Sequence, residues 1–132
     1  MYKNFNIYYN NIRGIKSKIE SLKEIIKDLN PHIIIINETM LGENESIEED
    51  RYHLIYNSKK EGKMGTLLGV RKDVGNKHIV IEKISKEYEA TWIMFTNKNN
   101  INIRIGNVYA PQESRTRKPT IAKMYKNIKK TH

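Results

Sequence analysis

The first part of the chain contains one segment with helical periodicity. Its apolar residues recur every three or four positions, with lysine and glutamate between them: Ile19, Leu22, Ile26 and Leu29. This spacing predicts an amphipathic helix, and Pro31 predicts where that helix ends. Ser17 and Glu20 have the S-x-x-E spacing of a capping box, so Ser17 is predicted to cap the first turn.

The other apolar segments are short and predict strands. Residues 5–12 are rich in aromatic and β-branched side chains. Ile33–Asn37 is apolar on both faces, which is typical of a central strand covered on two sides. Five more strands are predicted from β-branched or alternating segments: residues 52–57, 66–71, 78–84, 90–96 and 101–109. Trp92 is predicted to lie in the core, and a last helix is predicted over residues 120–130.

The order of these elements is β-α-β followed by a series of hairpins. That order is typical of the α+β class with a mostly antiparallel sheet. In the last strand, Ile101, Ile103 and Ile105 are predicted to share one face because side chains alternate along a strand. No repeat or linker divides the 132 residues, which have the length of one ordinary domain.

Charge is the feature of the composition that bears most on function. The formal net charge is +9, and residues 115–130 carry seven lysines or arginines and no acidic residue. An excess of this size favours binding to polyanions such as DNA through phosphate contacts. A solvated basic surface with no nucleic-acid partner is the alternative interpretation.

Several functional classes are disfavoured by what the sequence lacks. There is no cysteine, so disulfides and thiolate metal sites are excluded and an intracellular location, nuclear or cytoplasmic, is expected. The first residues lack the layout of a signal peptide, so secretion is not expected. The sequence contains no run of about 18 apolar residues, so a membrane helix is not expected either. Neither G-x-x-x-x-G-K-[ST] nor G-x-G-x-x-G occurs, so no small-molecule cofactor is expected.

Four polar residues stand where predicted strands end: Asn11, Glu38, Asn107 and Tyr109. If these strands share a sheet, one rim carries amides, a carboxylate and a phenol. Mg²⁺ often takes one or two carboxylates, with water and substrate phosphate as its other ligands. Taken singly, Asn11 and Glu38 are more typical of turns, and Tyr109 is typical of a half-buried edge aromatic.

The order of the motifs along the chain resembles a known superfamily. Asn-Ile-Arg-Gly-Ile at 11–15 is followed by an apolar strand with Glu-Thr at 38–39, Gly-Thr-Leu-Leu-Gly-Val at 65–70 and Asn-Val-Tyr-Ala-Pro at 107–111. The set resembles the endonuclease/exonuclease/phosphatase superfamily, and within it the endonuclease domain of non-LTR (LINE-type) retrotransposons. The resemblance implies a four-layer α/β/β/α sandwich, of which this chain is the N-terminal half.

The resemblance also implies roles for the four polar residues. Glu38 would bind Mg²⁺ or Mn²⁺, Asn11 would lie near the scissile phosphate, and Tyr109 would contact that phosphate. Asn107 would line the same rim. The implied function is Mg²⁺-dependent phosphodiester hydrolysis of DNA by a retroelement endonuclease. Two alternatives stay open at this stage: a non-catalytic basic nucleic-acid-binding module, and another phosphoesterase of the same superfamily.

The sequence departs from the family pattern after residue 111. The family continues with Asp-x-Asn, a further aspartate and Ser-Asp-His, and none of these follows residue 111 here; the aspartates Asp28, Asp50 and Asp73 all lie earlier in the chain. Residues 1–132 are therefore expected to form a single partial domain, truncated before its C-terminal half, with weak activity or none. Half of a sandwich leaves one sheet face open, so self-association through that face is also expected.

Overall fold

The fold consists of one α-helix and two β-sheets in the described part of the chain. The computed structural model describes residues 6–59, 62–74, 79–85, 89–97 and 99–109. The elements are β1 (Ile7–Asn11), a 3₁₀ turn (Lys16–Lys18), α1 (Ile19–Leu29), β2 (Ile33–Asn37), β3 (Tyr52–Asn57), β4 (Thr66–Arg71), β5 (Ile79–Ser85), β6 (Ala90–Thr96) and β7 (Asn102–Val108). They confirm the predicted α+β class with mostly antiparallel sheets.

Two sequence predictions concern segments outside this part of the chain. The helix predicted over residues 120–130 and the basic segment 115–130 both lie outside the described residues. Among the described residues, none of the helical segments has the length and apolar character needed to span a bilayer.

The helix α1 covers one face of the first sheet with its apolar stripe. Leu22 and Ile26 are buried there, against Ile34 and Ile36 of β2. The helix ends at Leu29, because the next residue, Asn30, adopts a left-handed conformation with φ 46° and donates its N–H to the carbonyl of Ile26. The helix thus ends two residues before Pro31, close to the predicted position.

The predicted capping box at the start of α1 is wrong. The residue at the N-cap is Lys18, and no side chain caps the first turn. Ile15 is fully buried and donates its N–H to the carbonyl of Thr39, which anchors the chain just before the 3₁₀ turn. Ser17 therefore lies inside that turn, not in the extended conformation that an N-cap residue needs.

The first sheet, sheet A, has the order β1-β2-β4-β3. Its central strand β2 is covered on both sides, as its composition predicts: Ile34 and Ile36 face α1, whereas Ile33 belongs to the core between the two sheets. Strand β1 runs parallel to β2 with Asn11 opposite Asn37. Because parallel strands end at the same edge of a sheet, the residues that follow both strands emerge at one rim.

The second sheet, sheet B, has the antiparallel order β5-β6-β7 and packs on sheet A through Ile93 and Phe95 of β6. Strand β7 begins one residue later than predicted. Ile101 is 48% exposed and closes a turn in which its N–H donates to Asn97 Oδ1 at 3.0 Å. The prediction that Ile101 shares one strand face with Ile103 and Ile105 is therefore wrong, because the turn takes Ile101 out of the strand.

Trp92 is not in the core, contrary to the prediction. It alternates with the buried residues Thr91 and Ile93, so its half-buried ring lies on the outer face of sheet B. There the ring covers Gly106 of β7, the residue paired with Trp92 across the strands. An aromatic ring over a cross-strand glycine is a recognised way to stabilise a sheet at a position without a side chain.

Replacing Gly106 with alanine is therefore expected to destabilise the protein by about 1–3 kcal/mol, the usual result of overpacking. A Cβ at this position would lie 2.3 Å from Cζ3 of Trp92, so the ring has to move. Urea unfolding measures the loss. In a Trp92→Ala background the same substitution should be close to neutral; an equal loss in both backgrounds would show that the ring is not the obstacle.

Candidate active site

Three backbone segments meet at the rim where β1 and β2 end. Beyond the strands, Gly14 N–H donates to the carbonyl of Glu38 at 2.8 Å, and Ile15 N–H donates to the carbonyl of Thr39 at 2.9 Å. On the other side, Thr39 N–H donates to the carbonyl of Gly65 at 3.1 Å. The segment that carries Glu38 is thus held from both sides by backbone hydrogen bonds.

The backbone at this rim is unusually strained. Among the described residues, seven residues other than glycine have positive φ. Four of the seven belong to the three segments that meet at the rim: Arg13, Glu38, Met40 and Met64. Such conformations cost about 1–3 kcal/mol each and tend to be kept at functional sites. Their concentration here marks this end of the sandwich as the candidate site.

The carboxylate of Glu38 receives hydrogen bonds from both sheets. Asn11, at the end of β1, donates from Nδ2 to Oε2 at 2.6 Å. Tyr109, which follows β7 in sheet B, donates its hydroxyl to the same oxygen. The structure therefore brings together three of the four residues predicted from the sequence.

These contacts determine the charge state of the site at neutral pH. The hydroxyl of Tyr109, the amide of Asn11 and the charge of Arg13 together lower the pKa of Glu38 below its ordinary value of 4.5. Burial, and then the hydrogen bond to Glu38, raises the pKa of Tyr109 to about 12. Glu38 is therefore an anion and Tyr109 a protonated donor across the physiological range.

This pairing predicts a distinct alkaline titration. Because the folded pKa of Tyr109 lies above the ordinary value of 10.0, its contribution to stability is complete below pH 10 and is lost as pH rises through 12. In a Glu38→Gln variant the pKa of Tyr109 should fall, since the neighbouring negative charge is removed, and should stay above 10.0 because the hydroxyl is still buried. Ultraviolet titration, with a Tyr109→Phe variant as the reference for subtraction, measures this value; an unchanged pKa would contradict the pairing.

Asn107 lies one layer beneath the other three residues. It is buried and donates from Nδ2 to Oδ1 of Asn37 at 2.9 Å. Asn37 in turn donates from Nδ2 to the hydroxyl of Tyr9 at 3.3 Å. The contact of Asn107 is thus with the residue before Glu38, so it fixes β7 against β2 below the rim. Asn37 and Tyr9 were not predicted as residues of the site. For Asn37 the sequence did carry a signal, because it is the polar residue at the end of an apolar strand.

Glu38 suits a hard cation such as Mg²⁺. It is a half-exposed carboxylate whose Oε2 holds both hydrogen bonds, while its Oε1 accepts none from the described residues. In the part of the chain that the structure describes, no group of three or more His, Asp or Glu side chains could hold a metal ion. The site therefore fits the binding mode in which the protein gives one carboxylate and water and phosphate complete the coordination.

Comparison with known proteins gives a result for the fold and none for the sequence. No protein-family model matches the sequence, and no curated protein matches it. Among solved structures, an AP endonuclease from Leishmania major superposes with a TM-score of 0.67 at 16% identity, covering 87% of this chain and 43% of that one. An AP endonuclease from Archaeoglobus fulgidus gives 0.59 at 18% identity, covering 83% and 42%.

A third similar structure is the 3′ phosphatase NExo from Neisseria, bound to a product DNA hairpin. Its TM-score is 0.57 at 17% identity, and the match covers 81% of this chain and 42% of that one. The chain thus spans less than half the length of each of these three proteins. The described residues have the fold of one part of the AP endonucleases and of this phosphatase.

Proposed function

We propose that the chain hydrolyses phosphodiester bonds of DNA in a reaction that requires Mg²⁺ or Mn²⁺. One observation carries the proposal: Glu38 is held at a strained rim by Asn11 and Tyr109, which come from different sheets. Two facts support it. The fold is shared with AP endonucleases and with a phosphatase solved with DNA, and the net charge of +9 favours a polyanionic substrate.

Each residue has a defined part in this proposal. Glu38 would hold the divalent ion through Oε1, and the bound ion would stabilise negative charge on the phosphate and the leaving oxygen. Tyr109, protonated at neutral pH, would turn its hydroxyl from Glu38 towards a phosphate oxygen. Asn11 keeps its Oδ1 to orient a water, and the exposed Arg13 adds positive charge beside the carboxylate.

The test is nicking of supercoiled plasmid by the purified chain. Nicking is expected in Mg²⁺ and should disappear when EDTA removes the ion. We expect a slow rate, so long incubations and a catalytically dead variant are needed as reference. Nicking that persists in EDTA would contradict the metal requirement, and its absence under all metal conditions would contradict the hydrolytic function.

The net charge supports one second candidate, a nucleic-acid-binding module without catalysis. In that case DNA or RNA binding would weaken steeply with salt, because phosphate contacts release counterions. It would be insensitive to EDTA and to substitution of Glu38. A loss of binding on chelation would exclude this candidate in favour of the metal-dependent enzyme.

We further propose that the chain derives from the endonuclease domain of a LINE-type retrotransposon. The support is the order of motifs from Asn11 to Pro111, since the structural comparisons concern the fold alone. The coding DNA beyond His132, translated in every frame, provides the test. Asp-x-Asn, Ser-Asp-His and then reverse-transcriptase motifs are expected there, and their absence from all frames would count against this origin.

We also propose that two copies of the chain associate through the open face of sheet A at β1. This strand is at the edge of sheet A among the described strands, and its Ile7 and Tyr9 are 50% and 59% exposed. Sedimentation velocity over a range of concentrations should show a dimer that an Ile7→Asp variant weakens. A monomer at every concentration would contradict the proposal.

A further inference from the structure

A buried glutamate just before a strand of sheet B contacts the candidate active site without being part of it. Glu89 precedes β6, is 2% exposed and has a positive φ of 50°. Its Oε1 accepts the backbone N–H of Gly65 at 2.7 Å. Burial of a carboxyl group is costly unless it is hydrogen-bonded, so this hydrogen bond is important for keeping the side chain buried.

Glu89 connects the two segments that form the site. Through its side chain it holds Gly65, whose carbonyl accepts the N–H of Thr39 at 3.1 Å, next to Glu38. Through its backbone carbonyl it accepts the N–H of Tyr109, also at 3.1 Å. Glu89 is thus joined to the backbone of Tyr109 by one hydrogen bond. It is joined to the segment of Glu38 by two successive hydrogen bonds, which pass through Gly65.

The close fit at Gly65 makes this connection stiff. A Cβ on Gly65 would lie 2.9 Å from Oγ1 of Thr39, and Thr39 is fully buried. The segment between the carboxylate and Glu89 therefore has little room to shift. A displacement of Gly65 away from Glu89 would carry Thr39, and with it the backbone of Glu38, away from sheet B.

We propose that Glu89 is a positioning residue that keeps the Glu38 carboxylate and the Tyr109 hydroxyl at hydrogen-bonding distance. It touches neither metal nor substrate and acts through Gly65 and through the backbone of Tyr109. The inference rests on the proposed function where Glu38 is taken as the ligand of a divalent ion. The rival explanation is that Glu89 only supports the fold between the sheets.

The experiment compares Glu89→Ala and Glu89→Gln with the native chain. Glu82→Ala is the matched control, because Glu82 lies in the same sheet and pairs with Arg104 on the exposed side. The first readout is the ¹H–¹⁵N spectrum. In it the Gly65 backbone amide reports the hydrogen bond to Glu89, and the Asn11 side-chain amide reports the contact with Glu38. The second readout is the affinity for Mn²⁺, measured by calorimetry without any substrate.

In Glu89→Ala, both the Gly65 and the Asn11 amide signals should shift, and the Kd for Mn²⁺ should rise about 10- to 100-fold, as for other residues that orient metal ligands. Glu89→Gln keeps an acceptor for Gly65, so it should recover most of the affinity and show smaller shifts. Glu82→Ala should leave all of these values unchanged.

A shift of the Gly65 amide with no change in the Asn11 amide and in the Mn²⁺ affinity would overturn the proposal, since Glu89 would then be structural only. If Glu89→Ala does not fold, the Glu89→Gln spectrum decides. Its smaller Gly65 shift must then be accompanied by a smaller Asn11 shift, and a Gly65 shift without any Asn11 shift would overturn the proposal. If the native chain does not bind Mn²⁺, the metal function fails. In that case the Asn11 signal in the Glu89 variants still decides whether Glu89 positions Glu38.

Discussion

Replacing Glu38 with glutamine is expected to reduce Mg²⁺-dependent nicking of DNA by at least about 100-fold, the scale of loss when one electrostatic contact to a transition state is removed. Glutamine has nearly the same shape and still offers an oxygen to Asn11 and Tyr109. It lacks the negative charge that a hard cation requires. The variant therefore removes the metal ligand with little change in the hydrogen bonds around it.

The measurement is the initial nicking rate as a function of Mg²⁺ concentration. Glu45→Gln is the matched control, because Glu45 is an exposed glutamate in the loop after β2 that pairs with Lys16 and contacts none of the site residues in the described hydrogen bonds. It should nick at the native rate. If the Glu38 variant nicks as well as the native chain, hydrolysis takes place elsewhere and the site assignment fails.

Replacing Gly65 with alanine is expected to lower the free energy of unfolding by about 3 kcal/mol. The backbone of Gly65 has φ 88°, which costs a residue with a side chain about 1–2 kcal/mol. The new Cβ would also lie 2.9 Å from the buried Oγ1 of Thr39, and overpacking of this kind adds about 1–3 kcal/mol.

Gly14→Ala is the control for the backbone contribution alone. Gly14 also has a positive φ, 102°, but the nearest atom to its Cβ would be Cγ of Met40 at 3.9 Å, an ordinary contact. Its loss should therefore be limited to about 1–2 kcal/mol. Urea unfolding of both variants gives the comparison. Equal losses would show that Thr39 can move aside and that the rim is less tightly packed than the structure indicates.

The elements of the fold were predictable because they depend on local composition. The strands Ile33–Asn37, Tyr52–Asn57, Thr66–Arg71 and Ala90–Thr96 have the bounds that their apolar segments predict. The errors arose where a distant contact decides the local structure. Ser17 does not cap α1 because it lies inside the 3₁₀ turn that follows Ile15, the residue hydrogen-bonded to Thr39. Trp92 lies on the outer face because its neighbour Ile93 faces the core.

The candidate site was predictable only in part. Asn11, Glu38 and Tyr109 each follow a strand, so their convergence could be anticipated from the motif order. The pairing of Asn107 with Asn37 could not be anticipated, because it depends on how sheet B packs on sheet A. Glu89 gave no signal at all: it lies in a short polar segment between strands, and only the packing of the two sheets makes it buried.

The backbone of Glu38 has a consequence for binding. Its carbonyl accepts the N–H of Gly14 on one side, and the N–H of Thr39, the next residue, donates to the carbonyl of Gly65 on the other. Its φ of 58° is fixed between these two hydrogen bonds. The carboxylate is therefore preorganised, and the conformational entropy of ordering it is lost during folding, not on arrival of a ligand. A cation or phosphate that binds here meets a group already in place, so its affinity is not reduced by reorganisation of the main chain.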